Sequence, residues 1–287
     1  MEGPLPRSII VNDTELTYVE QGHGDPILVV HGSVGDFRSW SEKLMPLAEH
    51  YRVITYSRRA HYPNAWPADY AHCLPNVHAA DLAALIEALG LGPTHLFGHS
   101  YGALVSLVLA RERPDLVRTL VLGEPPLLSL LDATEEGRAL VATFVAHALE
   151  PARLAFADGD PEAGVRVFID SVVGEGTFAK LPEADRDRAM DNAAELRAEL
   201  ETPQEKLCST LSCEDLRRMD RPALLLSGEL SPAVFHHVTR EVARCLPQVE
   251  QAMIPGISHG LWNPPGFTET VLGFLARHRE ADPKLAE

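Results

Sequence analysis

Thr94-His95-Leu96-Phe97-Gly98-His99-Ser100-Tyr101-Gly102, followed by Ala103-Leu104-Val105-Ser106-Leu107-Val108-Leu109-Ala110, is the stretch that decides how the chain is read. Its first four residues form a short β-rich run, and its last eight are apolar and favour a helix. Between them stands Gly-x-Ser-x-Gly, a nucleophile elbow, in which the serine occupies a strained strand-to-helix turn that holds its hydroxyl clear of the backbone. Both glycines have a steric reason, because a Cβ at Gly98 or Gly102 presses on the neighbouring strand or helix. The helix N-terminus beneath Ser100 offers N–H groups and a positive dipole to a developing oxyanion. The bare five-residue pattern arises by chance in about one chain in ten of this length. The strand before it and the helix after it are what make it specific.

Outward from the elbow, buried strands alternate with helices. Residues 8–11 and 16–19 read as a hairpin turning at Asn12-Asp13. Residues 26–30 are a continuous apolar run, as in a strand covered on both faces, and His31-Gly32-Ser33 ends it. A helix is expected over 40–50, a second buried strand over 52–56, and an amphipathic helix over 81–89 that stops at Gly90. The elbow helix runs to Arg113, and a strand follows at 119–122. The alternation resumes with a strand at 223–226, a helix at 233–245, a strand at 249–254 and a helix at 267–278. This pattern predicts an α/β fold with a mostly parallel, doubly wound sheet. Between 127 and 218 it gives way to helix-rich, acidic and alanine-rich sequence, such as Glu183-Ala184-Asp185-Arg186-Asp187-Arg188. That stretch is expected to be a helical cap inserted after strand six, over the edge where open α/β sheets bind ligands. The expected division is therefore 1–126 with 219–287 as core and 127–218 as cap, with a charged tail from 280 to 287.

The chain has 287 residues, 45% of them hydrophobic, and a net charge of −16, which argues against nucleic acid or an anionic membrane as partner. No apolar run approaches the roughly 20 residues needed to span a bilayer, and residues 1–7 lack the apolar core of a secretory signal. A cytoplasmic protein with a small-molecule substrate is expected. Cys73, Cys208, Cys213 and Cys245 form no Cys-x-x-Cys pair and read as structural thiols rather than a disulfide framework. His61, His72 and His78 lie near one another without metal-ligand spacing, so no metal is expected. No Gly-x-Gly-x-x-Gly follows a strand and no cofactor lysine stands out, so no cofactor is expected.

From about residue 8 to 278 the chain resembles the α/β-hydrolase superfamily, in its capped serine-hydrolase branch. His31-Gly32-Ser33 resembles the family's oxyanion turn after strand three, and Gly98 to Gly102 its elbow after strand five. Pro255-Gly256-Ile257-Ser258-His259, then Asn263-Pro264-Pro265-Gly266-Phe267, resembles the segment that carries the family's histidine and last helix. The resemblance implies Ser100 as nucleophile and His259 as its base, since a free hydroxyl is too weak to attack a carbonyl unaided. The N–H groups of Tyr101 and Ser33 would form the oxyanion hole. His99 is expected to point into packing, and His31 to organise its own loop.

At the acid the sequence departs from the family. A Gly-x-x-Asp should follow strand seven, but Leu226-Ser227-Gly228-Glu229-Leu230-Ser231 puts Ser231 there, and a serine cannot stabilise an imidazolium. Glu124, just past strand six, is the preferred replacement, because some branches, the haloalkane dehalogenases among them, take their acid from that strand end. Glu229 is the second candidate. In Tyr56-Ser57-Arg58-Arg59-Ala60-His61-Tyr62, where relatives carry Asp-x-Arg-Gly-x-Gly, Arg58 fits the pattern while Ser57 and Ala60 depart from it. His61, Tyr62 and Trp66 could line a substrate pocket, or the loop could be a surface loop with a structural arginine. Phe144, Phe156, Phe168 and Phe178 could form a substrate wall or simply pack helices.

The implied function is a cofactor-free serine hydrolase acting on an ester, lactone or similar acyl bond of a small, moderately apolar molecule. Two alternatives remain open. One is hydrolysis of a carbon–carbon bond in a β-diketone-like compound. The other is a ligand-binding protein on a hydrolase fold with weakened catalysis, favoured by the missing strand-seven acid.

Overall fold

Asn12 and Asp13 both adopt left-handed backbone (φ 46° and 59°), the geometry of a tight hairpin turn. Strand β1 (Arg7–Val11) therefore folds back antiparallel on β2 (Thr14–Gln21). In this computed structural model, which describes residues 4–41, 44–67, 74–203, 206, 211–260 and 266–279, β2 pairs antiparallel with β4 (Arg52–Tyr56). Beyond it β3 (Pro26–Val30), β5 (Thr94–His99), β6 (Val117–Gly123), β7 (Ala223–Gly228) and β8 (Val249–Ile254) are all parallel. The order across the eight-stranded sheet is β1-β2-β4-β3-β5-β6-β7-β8, so the chain reverses its direction of travel between β3 and β5. At such a switch point the carboxyl ends of the strands leave a crevice.

The apolar runs of the central strands are continuous because successive side chains feed two cores. Leu28, Val30, Leu96, Leu120 and Leu122 belong to one face with the elbow helix, whereas Ile27, Val29, Phe97 and Val121 belong to the other with Trp40, Phe267 and Phe274. The helix expected at 40–50 is instead two short ones, α1 (Arg38–Ser41) and α2 (Met45–Ala48). Pro46, in the first turn of α2, lacks the N–H that would continue a helix from before it. Helix α3 (Pro75–Ala88) starts earlier than expected, at a proline that suits a first helical position, and Gly90 follows it at φ 63°. Helix α4 (Tyr101–Glu112) leaves the elbow and is buried along almost its whole length.

Between β6 and β7 the described residues form helices and no strand: α5 (Glu135–Phe144), a π-helical turn (Val145–Leu149), α6 (Glu150–Ala157), α7 (Pro161–Val173), α8 (Thr177–Lys180), α9 (Glu183–Asp191), α10 (Ala193–Glu201) and α11 (Cys213–Arg217). Polar contacts hold α9 and α10 to the loops that leave the sheet. Asn192 Nδ2 donates to Asp36 Oδ2 (2.9 Å), the Tyr62 N–H donates to Asn192 Oδ1 (2.9 Å), and Arg38 pairs with Asp191 (2.8 Å). The continuous helix Glu135–Ala157 is, among the described residues, long and apolar enough to cross a membrane by length and composition. It carries five charged side chains, with Glu150 and Arg153 paired to each other.

Helix α12 (Ala233–Cys245) and helix α13 (Phe267–Arg277) complete the two layers. Here the reading of the cysteines is corrected: Cys213 and Cys245 are joined in a disulfide, across 32 residues of sequence. The spacing gave no hint of it, because the pair is made by α11 packing against the end of α12. Cys73, Cys208, His72, residues 263–265 and the tail lie outside the described residues.

Candidate active site

The elbow is built by close approach of backbone to backbone. A Cβ on Gly98 would stand 2.6 Å from the Gly102 carbonyl oxygen and 2.7 Å from Ala103 Cα, and one on Gly102 would stand 2.1 Å from the Val30 carbonyl oxygen. These distances let β5, the turn and α4 stack tightly against β3, which forces Ser100 to φ 51° and ψ −122°. A non-glycine residue there is strained, and the cost is carried by the surrounding packing. Gly102→Ala is expected to destabilise the fold by about 3 kcal/mol or more, at the top of the range for overpacking. A guanidinium unfolding midpoint within error of wild type would contradict that fit.

Strand ends bring Ser100, His259 and Glu124 into one hydrogen-bonded chain. The Ser100 hydroxyl donates to His259 Nε2 (2.9 Å), and His259 Nδ1–H donates to Glu124 Oε2 (2.6 Å). His259 follows β8 and is buried, with the Phe235 ring stacked on it at 3.9 Å and His99 Nε2 donating to its backbone carbonyl (2.7 Å). His99, expected in packing, thus fixes the loop that carries His259. Glu124 is fully buried in left-handed backbone (φ 47°) immediately after β6. Its own N–H donates to the Leu226 carbonyl (3.2 Å), and its Oε1 accepts from the Gly228 N–H (3.0 Å) on β7. Burial pushes the Glu124 carboxyl up, but the bond and charge of His259, the Ser231 hydroxyl and the Gly228 N–H outweigh it and hold it below the ordinary carboxylate range. Ser231 is therefore near enough to favour the charge on the acid without making a hydrogen bond of ordinary geometry. Glu229, the second candidate, is elsewhere: its carboxylate accepts from the Gly256 N–H (2.8 Å) at the surface.

Ser33 and Tyr101 both flank Ser100 at a cavity wall. Tyr101 is the first residue of α4, so its N–H belongs to the open end of the helix. The turn that carries Ser33 is held from below. His31 Nδ1 donates to the Gly32 carbonyl (2.8 Å) and His31 Nε2 accepts from the Arg58 N–H (3.0 Å), which requires a neutral ring and bears out its role in its own loop. Burial and the charges of His61 and Arg58 push His31 well below the usual histidine range. The Arg58 guanidinium donates to the Gly32 carbonyl (3.3 Å) and lies 4.5 Å over the Tyr101 ring, so it is a structural arginine beneath the turn.

None of the loop residues expected to line a pocket borders the two cavities at Ser100. His61 is fully buried under this turn, with Nδ1 donating to the Gly35 carbonyl (2.8 Å) and Nε2 3.1 Å from Glu195. Tyr62 and Trp66 are 42% and 43% exposed on the outer surface, and the Arg38 guanidinium covers the Tyr62 ring at 4.0 Å. The reason is tertiary. Helices α9 and α10 lie across the loop, so His61 becomes a ligand of the buried Glu195 and the aromatic rings turn outward. Burial pushes Glu195 up, but His61 and Arg58 outweigh it and hold the carboxyl well below the usual range.

Two small cavities meet at Ser100 and His259 and share Ser33, Phe168 and Val172. The first runs past Trp40, His99 and Ile169 towards Arg188, which is paired with Asp185. The second runs between Phe144, Leu149, Leu200 and Phe235 and contains Glu199. Of the four phenylalanines considered from the sequence, Phe144 and Phe168 are walls, while Phe156 and Phe178 are buried in helix packing. Sequence reasoning missed Phe235 and Glu199, because neither stands in a motif. Among the described residues, no group of three His, Cys, Asp or Glu side chains could hold a metal.

The eight-stranded, mostly parallel sheet agrees with what comparison finds. The family model for the alpha/beta hydrolase fold matches residues 25–261, and the chain belongs to that family of hydrolases. An uncharacterised hydrolase of Bacillus subtilis is 32% identical over 44% of this chain and 46% of its own length, so the alignment spans just under half of that relative. A non-heme haloperoxidase of Rhodococcus erythropolis is 29% identical over 90% of this chain and 93% of its own length. Among solved structures, a thermophilic esterase from Thermogutta terrifontis superposes with a TM-score of 0.75 at 23% identity, covering 96% of this chain and all of the other, a likeness of fold.

Proposed function

We propose that the protein is a serine hydrolase that cleaves an ester, lactone or similar acyl bond of a small, moderately apolar molecule through a covalent acyl-enzyme. The observation that carries this reading is the unbroken chain from Ser100 through His259 to Glu124 at the junction of two largely apolar cavities. Residues 127–218 are read as a cap that encloses those cavities. Together with a net charge of −16, the enclosure favours a small molecule as partner rather than nucleic acid or membrane.

In the first half-reaction His259 Nε2 takes the Ser100 proton as Oγ attacks the carbonyl carbon. The electron pair moves to the carbonyl oxygen, which the N–H groups of Ser33 and Tyr101 receive. Glu124 fixes the tautomer of His259 and balances the imidazolium that forms. Collapse of the intermediate breaks the bond to the alcohol oxygen, and His259 returns its proton to that leaving group. Water, deprotonated by His259, then attacks the acyl-enzyme and releases the acid with Ser100 restored. The missing strand-seven aspartate was the feature that favoured a non-catalytic protein, and Glu124 removes that reason.

The test combines fluorophosphonate labelling with turnover of p-nitrophenyl esters. Labelling that maps to Ser100 by peptide mass, together with ester turnover, is the expected result. A labelled Ser100 without ester turnover, and with a ketonised intermediate visible by absorbance on a β-diketone-like substrate, would favour carbon–carbon bond hydrolysis instead. No label and no turnover would leave a binding protein.

A further inference from the structure

The second cavity holds a carboxyl that acyl transfer does not use. Glu199, on α10, is half-buried and borders this cavity with Ser100 and His259. The Ser33 hydroxyl lies 2.9 and 2.7 Å from its two oxygens. Among the described residues no basic side chain forms an ion pair with it. The nearby Arg58 guanidinium and two imidazoles gather one helical turn earlier, on Glu195, with His61 Nε2 at 3.1 Å, Arg58 Nη1 at 3.7 Å and His78 Nε2 at 3.9 Å. Apart from Ser33, Ser100, Tyr101 and His259, the walls around Glu199 are apolar and carry the rings of Phe144, Phe168 and Phe235.

A carboxyl with no direct ion-pair partner among the described residues, beside aromatic rings in a largely apolar cavity, is an environment that recognises an alkylammonium group. Aromatic rings attract a cation, and the carboxylate supplies the compensating charge that a buried cation needs. A substrate carboxylate meets the opposite: the only arginine or lysine lining either cavity among the described residues, Arg188, is already paired with Asp185. We propose that Glu199 is a specificity-determining residue for a cationic substrate, an ester whose alcohol or acyl part carries an ammonium group seated between Glu199 and the three phenylalanine rings.

Binding of such a group is coupled to protons. Burial, and then the charge of Glu195, push the Glu199 carboxyl up to about 8, against the Ser33 hydroxyl and Arg58. The charged and titratable groups facing its cavity are Glu195 on its own helix, Arg58 from the loop after β4, Tyr101 from α4 and His259 across the cavity, while α5, α7 and α12 present phenylalanines. At neutral pH the empty site therefore holds a proton that an arriving cation expels. Affinity for a cation rises with pH up to about 8 and then levels off.

The proposal rests on the acyl-transfer reading, and two matched ester pairs test it. Butanoylcholine is compared with its neutral isostere 3,3-dimethylbutyl butanoate, and ethyl 4-(trimethylammonio)butanoate with ethyl 5,5-dimethylhexanoate, at pH 8.5 by pH-stat. In at least one pair, wild type is expected to favour the cation by about 10-fold or more in kcat/KM, and Glu199→Gln to bring the ratio within about 3-fold of one. Ratios near one in both wild-type pairs, or a preference that survives Glu199→Gln, overturn the proposal. If no ester is hydrolysed and Ser100 takes no fluorophosphonate, the acyl-transfer reading fails separately. Calorimetric titration with tetramethylammonium then decides: binding to Ser100→Ala that is lost in Ser100→Ala/Glu199→Gln upholds the cation site, and no binding to Ser100→Ala overturns it.

Discussion

Ser100→Ala is expected to lower kcat for p-nitrophenyl ester hydrolysis by about 10⁴-fold or more, with KM and the unfolding midpoint little changed. On the proposed mechanism the variant removes the atom that forms the covalent bond. Ser33 also places a hydroxyl beside the site, but its Oγ is directed to Glu199 rather than to His259. Alanine also fits where serine fits, since the strained φ of 51° is imposed by the glycines on either side and by the bond from the Ser100 N–H to the Gly123 carbonyl (2.7 Å). Loss of activity with retained stability would therefore report chemistry and not folding. A variant with a tenth of wild-type activity or more would remove Ser100 as nucleophile.

Glu124→Gln is expected to lower kcat/KM by about 10³-fold or more, while Glu229→Gln stays within about 3-fold of wild type. Glutamine keeps the shape of the side chain but exchanges an anion for an amide. Its NH₂ can face His259 Nδ1 only if that nitrogen gives up its hydrogen, which places the hydrogen on Nε2, where Ser100 needs an acceptor. The imidazolium also loses its counter-charge in a fully buried place. Because the folded state holds the Glu124 carboxyl below its ordinary range, its ionised form contributes stability above about pH 4.5 that is lost as pH falls through its lower folded value. Glu124→Gln should therefore flatten the acid limb of the stability curve as well. Equal activity of Glu124→Gln and wild type would return the acid to an open question, and equal losses in both variants would point to a general electrostatic effect.

The parts of the site legible in the sequence are those fixed by local steric rules. Gly98, Ser100 and Gly102 announce themselves because only that spacing lets a strand turn into a helix with a serine at the apex. His259 was legible from its loop after the last strand, and Glu124 from its place past β6 once Ser231 had ruled out the usual position. His61, Tyr62 and Trp66 were misplaced because their loop was judged without the helices that cover it. Glu195 and Glu199 carry no local signal, since both look like solvated charges on an acidic, alanine-rich helix. Only the docking of α10 onto the Ser33 turn makes one an ion-pair hub and the other a cavity wall. The disulfide between Cys213 and Cys245 was hidden for the same reason.

By itself, then, the sequence determined the sheet and the elbow and singled out Ser100, His259 and Glu124 as the candidate reacting groups. Strand periodicity and the steric demands of glycine act over a few residues, within reach of a pattern. The tertiary structure alone decided which side chains wall the cavities and where, among the described residues, a half-buried carboxyl lies without an ion-pair partner. Those depend on which distant segments touch, and burial changes the chemistry of a glutamate far more than its neighbours in sequence do.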